Sequence, residues 1–305
     1  MDLTRLRTLR ELSVRGTMAA VAEALGISPS AVSQQIALLE AELGIALVER
    51  RGRGVHLTPA GARLVLHAET VIGVIEEART DIAELKRTVA GELRVSAFPS
   101  VAAALLPRTI VAIGVSHPSL RIRFDELEPM DGLAALRGWR TDVALIDDLT
   151  TLEGIPEATI EAWSLCEDRL CVVLPGRHPL SGRAAVTLRD LRTEIWALDN
   201  PDKGYSEVVV EACRAVGFEP KIHAHCHGFE VVQAMVEAGC CISIQPHLRL
   251  RDTGRSLCVT ELDPPIARQI SVAFRRGEGR NPSIAAFLQA LARATDSPSR
   301  DAMAI

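Results

Sequence analysis

The stretch Thr17–Glu42, TMAAVAEALGISPSAVSQQIALLEAE, reads as two short helices joined by one tight turn. Thr17 can cap the first helix, in which Ala20, Val21, Ala24 and Leu25 share an apolar face. Gly26 suits the left-handed position just past a helix end, and Ile27 then turns inward. Ser28 can cap the second helix, with Pro29 in its first turn, where a missing N–H costs nothing. Val32, Ile36, Leu39 and Leu43 recur at helical spacing and predict a core-facing stripe. Pro29, Ser30, Ser33, Gln34 and Ala37 then fall on the opposite face. They are short or carry an amide, which fits a DNA major groove. Taken alone, the segment also reads as an ordinary αα-hairpin of small residues.

The residues that follow favour DNA. Val48–Leu57, VERRGRGVHL, reads as a hairpin with a basic, Gly-containing tip. Arg50, Arg51 and Arg53 can neutralise phosphates beside a recognition helix, which gives affinity without sequence information. A basic hairpin can be a solvated turn, but its place directly after a helix-turn-helix favours a wing. Residues 1–61 resemble the mostly α, winged helix-turn-helix of LysR-type transcriptional regulators. The segments AAVAEALGIS, SAVSQQI, LLEAELG and LVERRGRGVHLTPAG carry the resemblance, in order and densely. One departure lies at the start of the second helix. The family commonly has Ser-Gln-Pro-Ala, whereas this chain has Ser28-Pro29-Ser30-Ala31. One amide base-reader is therefore missing, and a relative's operator half-site does not transfer.

At 305 residues the chain has room for two or three domains. It is 48% hydrophobic and 3% aromatic with a net charge of −5, so DNA affinity must come from a local basic patch rather than from the whole chain. The N-terminus, MDLTRLRTLRELS, lacks the apolar core of a signal peptide, and no uninterrupted apolar run predicts a membrane span. The cysteines number seven and lie between Cys166 and Cys258. An odd count without a secretion signal predicts reduced thiols in the cytoplasm.

Thr58-Pro59 is a further cap-plus-Pro helix start. Beyond it Leu64, Ala68, Val71, Ile75, Ala78, Ile82, Leu85 and Val89 alternate in steps of four and three, up to Gly91. That is a heptad seam. A helix of about 30 residues spans roughly 45 Å. Packing on its own domain is one use for such a helix. The sustained repeat favours pairing with a second chain through Leu64, Val71, Ile75, Ile82 and Leu85. The family's linker helix dimerises, so the resemblance implies the same.

From Glu92 to about Ala294, strand and helix patterns alternate, which predicts an α/β domain with mainly parallel sheets. The resemblance implies a periplasmic-binding-protein-like effector domain of two subdomains, with crossings placed near Ala162–Glu167 and Asp263–Gln269. The expected division is a DNA-binding domain at 1–58, a linker helix at 59–90 and an effector domain at 91–295. Within the last, subdomain I takes about 91–163 and 268–295, and subdomain II about 164–267. Residues 296–305 are expected to form a flexible tail.

Ligands in open α/β domains bind beyond the carboxyl ends of strands. That rule selects Phe98, Pro99, Ser100 and Val101, where Ser100 can cap a helix whose free N–H groups suit an anion or carbonyl. It also selects Asp147 and Asp148, Asn200 and Lys203, His227, and Gln245. Mixed acids with Lys203 and His227 suit a small zwitterion. His223, His225 and His227 alternate near Cys226, Cys240 and Cys241, so a metal- or redox-responsive regulator is the alternative, although alternation alone does not make ligands converge. No P-loop, dinucleotide fingerprint, nucleophile elbow or His-Glu-x-x-His occurs. The chain is therefore read as a regulator rather than an enzyme, and an enzyme with a DNA-binding head is the remote alternative. The expected partners are double-stranded operator DNA, a small effector, a second copy in a homodimer or homotetramer, and RNA polymerase. No cofactor and no membrane are expected.

Overall fold

Asp2, Thr17 and Ser28 each accept a backbone N–H from two or three residues ahead, and each starts a helix. These are α1 (Leu3–Arg15), α2 (Met18–Leu25) and α3 (Pro29–Leu43) in a computed structural model that describes residues 1–51, 54–86, 88–150, 159–199, 204–250 and 257–296. An antiparallel hairpin follows, β1 (Val48–Arg51) and β2 (Gly54–Leu57), and then α4 (Pro59–Lys86). Leu6, Leu9 and Leu12 of α1 meet Val21, Val32, Ile36, Leu39 and Leu47 in one core. Two sequence expectations shift here. In α2 the buried residues are Val21 and Ala22, while Ala24 is exposed, because the face that meets α1 and α3 runs through positions 18, 21, 22 and 25. Leu43 lies on the expected face but ends α3, where the core stops, and it is exposed.

Side chains fasten the wing and α4 to this core. Glu40 Oε1 accepts the N–H groups of Leu47 (2.7 Å) and Val48 (3.1 Å), tying the end of α3 to β1. Thr58 caps α4 by accepting Gly61 N–H, and its hydroxyl donates to Ala46 O at 2.8 Å. Gly61 is needed there because a Cβ would stand 2.1 Å from Leu47 O. Helix α4 ends at Lys86, short of the expected boundary near residue 90.

The chain divides into two compact units, Met1–Arg87 and Thr88–Ile305. The second is built from β3 (Gly91–Ala97), α5 (Pro99–Ser116), β4 (Leu120–Glu126), α6 (Pro129–Arg137) and β5 (Val143–Asp147). Next come β6 (Ile160–Pro175), β7 (Ala185–Val186), β8 (Ile195–Asp199), α7 (Gly204–Ala215), β9 (Lys221–Cys226) and α8 (Phe229–Glu237). The chain closes with β10 (Ser243–Pro246), β11 (Leu257–Leu262), β12 (Ala267–Arg275) and α9 (Pro282–Asp296).

The main sheet runs β4-β3-β5-β12-β6-β11-β7. It is mixed rather than mainly parallel. The β3–β4 and β3–β5 pairs are parallel, but β12 and β6 run antiparallel to each other and to their other long neighbours. The reason is connectivity: the chain leaves the first subdomain along β6 and returns along β12. Strand β6 changes partners midway. Its first part, to Arg169, pairs with β12, and Leu170–Pro175 pair with β10 and β11. The crossing therefore lies inside one continuous strand, a few residues beyond the expected place.

Each subdomain has its own core. Phe274, Phe287, Leu105 and Val95 sit in one, and Trp196, Val209, Leu174 and Ile244 in the other. Helix α5 is long and apolar enough by composition to cross a membrane, but Val101, Leu105, Leu106 and Ile113 are buried in the first core and the helix packs on α9.

Candidate functional site

The α3 surface opposite the core is open. Pro29, Ser30, Ser33, Gln34 and Ala37 are all exposed. Ser28 is committed to its capping bond with Ala31 N–H and lies 2.8 Å from the Ser30 hydroxyl, while Thr17 caps α2. The amide next to Gln34 is used internally, since Gln35 accepts a hydrogen bond from Thr8 and locks α3 to α1. Arg50 and Arg51 stand in β1 opposite Val55 and Gly54. Their side chains, and all of Arg53, lie outside the described residues.

Along α4 the expected seam splits. Ala68 is buried in the head's own core and Leu64 packs against it, because the first turns of α4 lie on α1. Further on, Val71, Val74, Ile82 and Leu85 are 44%, 60%, 53% and 81% exposed, with Ile75 half-buried. Four large apolar side chains on one side of a helix in water call for a cover.

The second unit holds a narrow pocket, part of it open to solvent. Phe98, Pro99 and Ser100 line it at the start of α5, with Asp147 at the end of β5 and Thr150 after it, Glu128 before α6, and Asp199 at the end of β8. Gly204, Tyr205, Phe229 and Arg268 complete the wall. At its back Arg268 joins four elements. Register places it opposite Asp168 on β6. Its Nε and Nη2 donate to Asp168 Oδ2 (3.1 and 2.8 Å), Nη1 to Asp147 Oδ2 (3.0 Å) and Nη2 to Ser100 Oγ (2.7 Å). The guanidinium also lies over the Phe98 ring, 4.8 Å from its centre. Asp168 Oδ1 further accepts Leu248 N–H, and Asp147 Oδ1 accepts both the backbone N–H and the hydroxyl of Thr150.

The other acids of the pocket are less satisfied. Burial raises the Glu128 carboxyl above the usual range, and the charges of Asp147 and Asp199 add to the effect and outweigh Arg268. Burial also raises Asp199, although Gly228 N–H donates to its Oδ1 at 2.7 Å and His227 and Arg249 pull the other way. Burial pushes the Tyr205 phenol well up. Among the described residues its hydroxyl is left without a hydrogen-bond partner; the adjacent Ser206 hydroxyl, which pulls the phenol the other way, donates to the Asp199 carbonyl.

Of the expected cleft residues, Phe98, Pro99, Ser100 and Asp147 line the pocket, and others stand elsewhere or are held differently than expected. Val101 is wholly buried in the first core because it points to the sheet side of α5. Ser100 does not cap α5; Phe98 holds the cap position without a side-chain bond, and Ser100 instead receives Arg268. Asp147 shares the Arg268 guanidinium with Asp168, so its Oδ2 is already engaged by a cation of the protein. Asp148 is exposed and accepts Gln269 N–H. Gln245 is buried against Gln233, and His227 is exposed at the edge rather than in the lining. Asn200 and Lys203 lie outside the described residues. Sequence reading misses Arg268, Glu128, Asp199 and Phe229, whereas Tyr205 closes the loop from Asn200 that follows the tryptophan strand and is expected at the cleft. A signal for Asp199 exists in the chain, since it ends the strand directly before the Asn200 loop.

The histidine–cysteine cluster does not converge. His223, His225 and His227 are exposed along β9 while Cys226 turns into a core, and no group of three potential metal ligands forms among the described residues. Burial pushes the thiols of Cys171 and Cys241 up to about 11 and that of Cys213 up to about 12. Such thiols stay protonated near neutrality and are poor nucleophiles.

Known proteins match both units. A family model described as the LysR substrate binding domain matches residues 86–296, and one described as a bacterial regulatory helix-turn-helix protein of the lysR family matches residues 3–62. The transcriptional dual regulator GltC of Bacillus subtilis (strain 168) is 28% identical over 253 residues, which is 83% of each chain. A probable hydrogen peroxide-inducible genes activator of Streptomyces viridosporus is 27% identical over 305 residues, 98% of this chain and 95% of that one. A solved full-length OxyR variant from Pseudomonas aeruginosa has the same fold, with a TM-score of 0.70 at 24% identity over 97% of this chain and 94% of its own.

Proposed function

The chain belongs to the LysR family of bacterial transcriptional regulators, and on that premise we propose how its own residues carry out ligand-responsive, sequence-specific DNA binding. The exposed Pro29–Ala37 face of a doubly capped α3 is the observation that carries the reading. Ser33 and Gln34 meet base edges, and the arginines of the wing meet phosphates. The exposed apolar stripe from Val71 to Leu85 pairs with a second copy, so that two recognition helices address two half-sites. Larger assemblies, a homotetramer included, form through the effector domains, and the regulator acts on transcription in the cytoplasm through RNA polymerase. A small effector enters the pocket beside Arg268. It shifts the balance between two subdomain arrangements by binding one of them better. No catalytic role is assigned to any residue.

Selection of bound fragments from a genomic library by the purified full chain, followed by footprinting, tests the reading. The expected result is a recurrent sequence protected as two half-sites. Equal affinity for selected and random duplexes overturns it.

A further inference from the structure

We propose that the effector taken by this pocket carries a protonated amine, held between the carboxylates of Glu128 and Asp199, and an oxygen acceptor that faces the Tyr205 hydroxyl. This inference rests on the reading of the pocket as the effector site.

Charge in the pocket is lopsided. Among the described residues, the lining and its back wall contain the carboxylates of Glu128, Asp147, Asp168 and Asp199 against one buried guanidinium, that of Arg268, while His227 and Arg249 act on Asp199 from outside the lining. A guanidinium has five N–H donors. Four are committed to Asp168, Asp147 and Ser100, and one face is covered by Phe98. Arg268 is therefore mainly a structural cation, engaged by two carboxylates and left with one Nη1 N–H, which makes it a weak anchor for a ligand carboxylate. Glu128 is the reverse case. It makes no hydrogen bond or ion pair among the described residues, and its carboxyl reaches toward Gly204, where a Cβ would stand 3.0 Å from Oε2. Asp199 keeps one oxygen, Oδ1, on Gly228 N–H, and this leaves Oδ2 for a donor.

Tyr205 gives an independent sign that something is bound here. Only 8% of the residue is exposed, and its hydroxyl is buried without a hydrogen-bond partner among the described residues. A buried hydroxyl left unsatisfied costs roughly 1–3 kcal/mol. The charges that act on it are those of Asp199, Arg268 and Glu128, which places it among the pocket's own groups. A donor with no acceptor beside two carboxylates with too few donors describes the complement of a small amine that also bears a hydroxyl or carbonyl. Burial makes the negative pair costly, so an entering cation relieves a like-charge conflict as well as gaining hydrogen bonds.

Calorimetric titration of the full chain at neutral pH, using aminobutanol, butanediol and hydroxybutyrate as matched probes, tests the proposal. Aminobutanol is expected to bind saturably and at least about 10-fold tighter than either of the others. Glu128→Gln is expected to remove that preference while raising the melting temperature of the ligand-free protein, because it deletes the conflict that the amine relieves. A residue that merely supported the fold would not move the two readings in opposite directions. The proposal is overturned if hydroxybutyrate binds as tightly as the amine, if the diol does, if no saturable amine binding occurs, or if E128Q keeps the preference. Selection of duplex fragments by the same preparation separates the two claims. Sequence-selective DNA binding without amine preference sinks the ammonium and leaves the regulator standing. Amine preference without sequence selection does the opposite.

Discussion

Arg268 is the side chain whose loss the effector unit should tolerate least. It is almost fully buried and answers two carboxylates, Asp147 and Asp168, that are buried with it. Arg268→Met keeps much of the length and deletes the charge, leaving two uncompensated anions in the interior. Removing one partner of a buried pair costs about 3–5 kcal/mol. Urea unfolding of the variant should show a loss of that order, and a loss below about 1 kcal/mol would mean that the acids protonate or rehydrate at little cost. The same residue shows why the pocket is only partly legible in the sequence. Its partners Ser100, Asp147 and Asp168 lie 168, 121 and 100 positions away in the chain. Nothing in the local pattern ARQISVAF marks Arg268, because the register of β12 against β6 is what delivers it. The rule that ligands gather past strand ends finds Ser100 and Asp147. It does not find their roles, because a carboxylate read from sequence carries no sign of whether an arginine has already claimed it.

At the scale of elements, capping and periodicity are informative because they act within a few residues. Thr17, Ser28 and Thr58 each cap the helix their sequence context predicts. Alternation of strand and helix patterns marks nearly every element of the second unit. Position beyond the helix is harder to read: Leu43 and Ala24 show that a spacing names a face, while what covers that face depends on where its neighbour ends. The recognition helix yields a direct test. If Gln34 reads a base edge, Gln34→Ala should cost roughly 1–3 kcal/mol on the selected site and relax selectivity at one base pair. Arg51→Ala should instead weaken all duplexes alike and flatten the dependence of binding on salt. Equal losses on selected and random DNA for Gln34→Ala would remove it from the base-reading set. Helix α4 yields another. Ile75→Asp together with Ile82→Asp would place like charges on the exposed apolar stripe. The variant should sediment as a smaller species and lose a two-half-site operator. A native-size dimer would move the interface off α4.

Over the whole molecule, carboxylates of opposite character set how stability varies with pH. Burial would raise the Asp142 carboxyl, but Arg94, bound through Nε (3.0 Å) and Nη2 (2.6 Å), and then Arg275 outweigh it and hold it below the usual range. A depressed acid contributes stability above its unfolded pKa and loses it as pH falls through the folded value. Glu128 and Asp199 are shifted the other way by burial. For a raised acid the folded state holds the proton more tightly, so its contribution is full at and below the unfolded pKa and is lost as pH rises from there through the folded one. The two sets therefore predict a maximum for the ligand-free effector unit close to the ordinary carboxylate range, about pH 4. Below it Asp142 and its arginines come apart, and above it the pocket acids ionise against one another. Melting temperature measured across the acid-to-neutral range should trace that shape. Asp142→Asn should flatten the acid limb and Glu128→Gln the limb toward neutrality. A wild-type profile that rises steadily from acid to neutral pH would show that the pocket acids meet no conflict in solution.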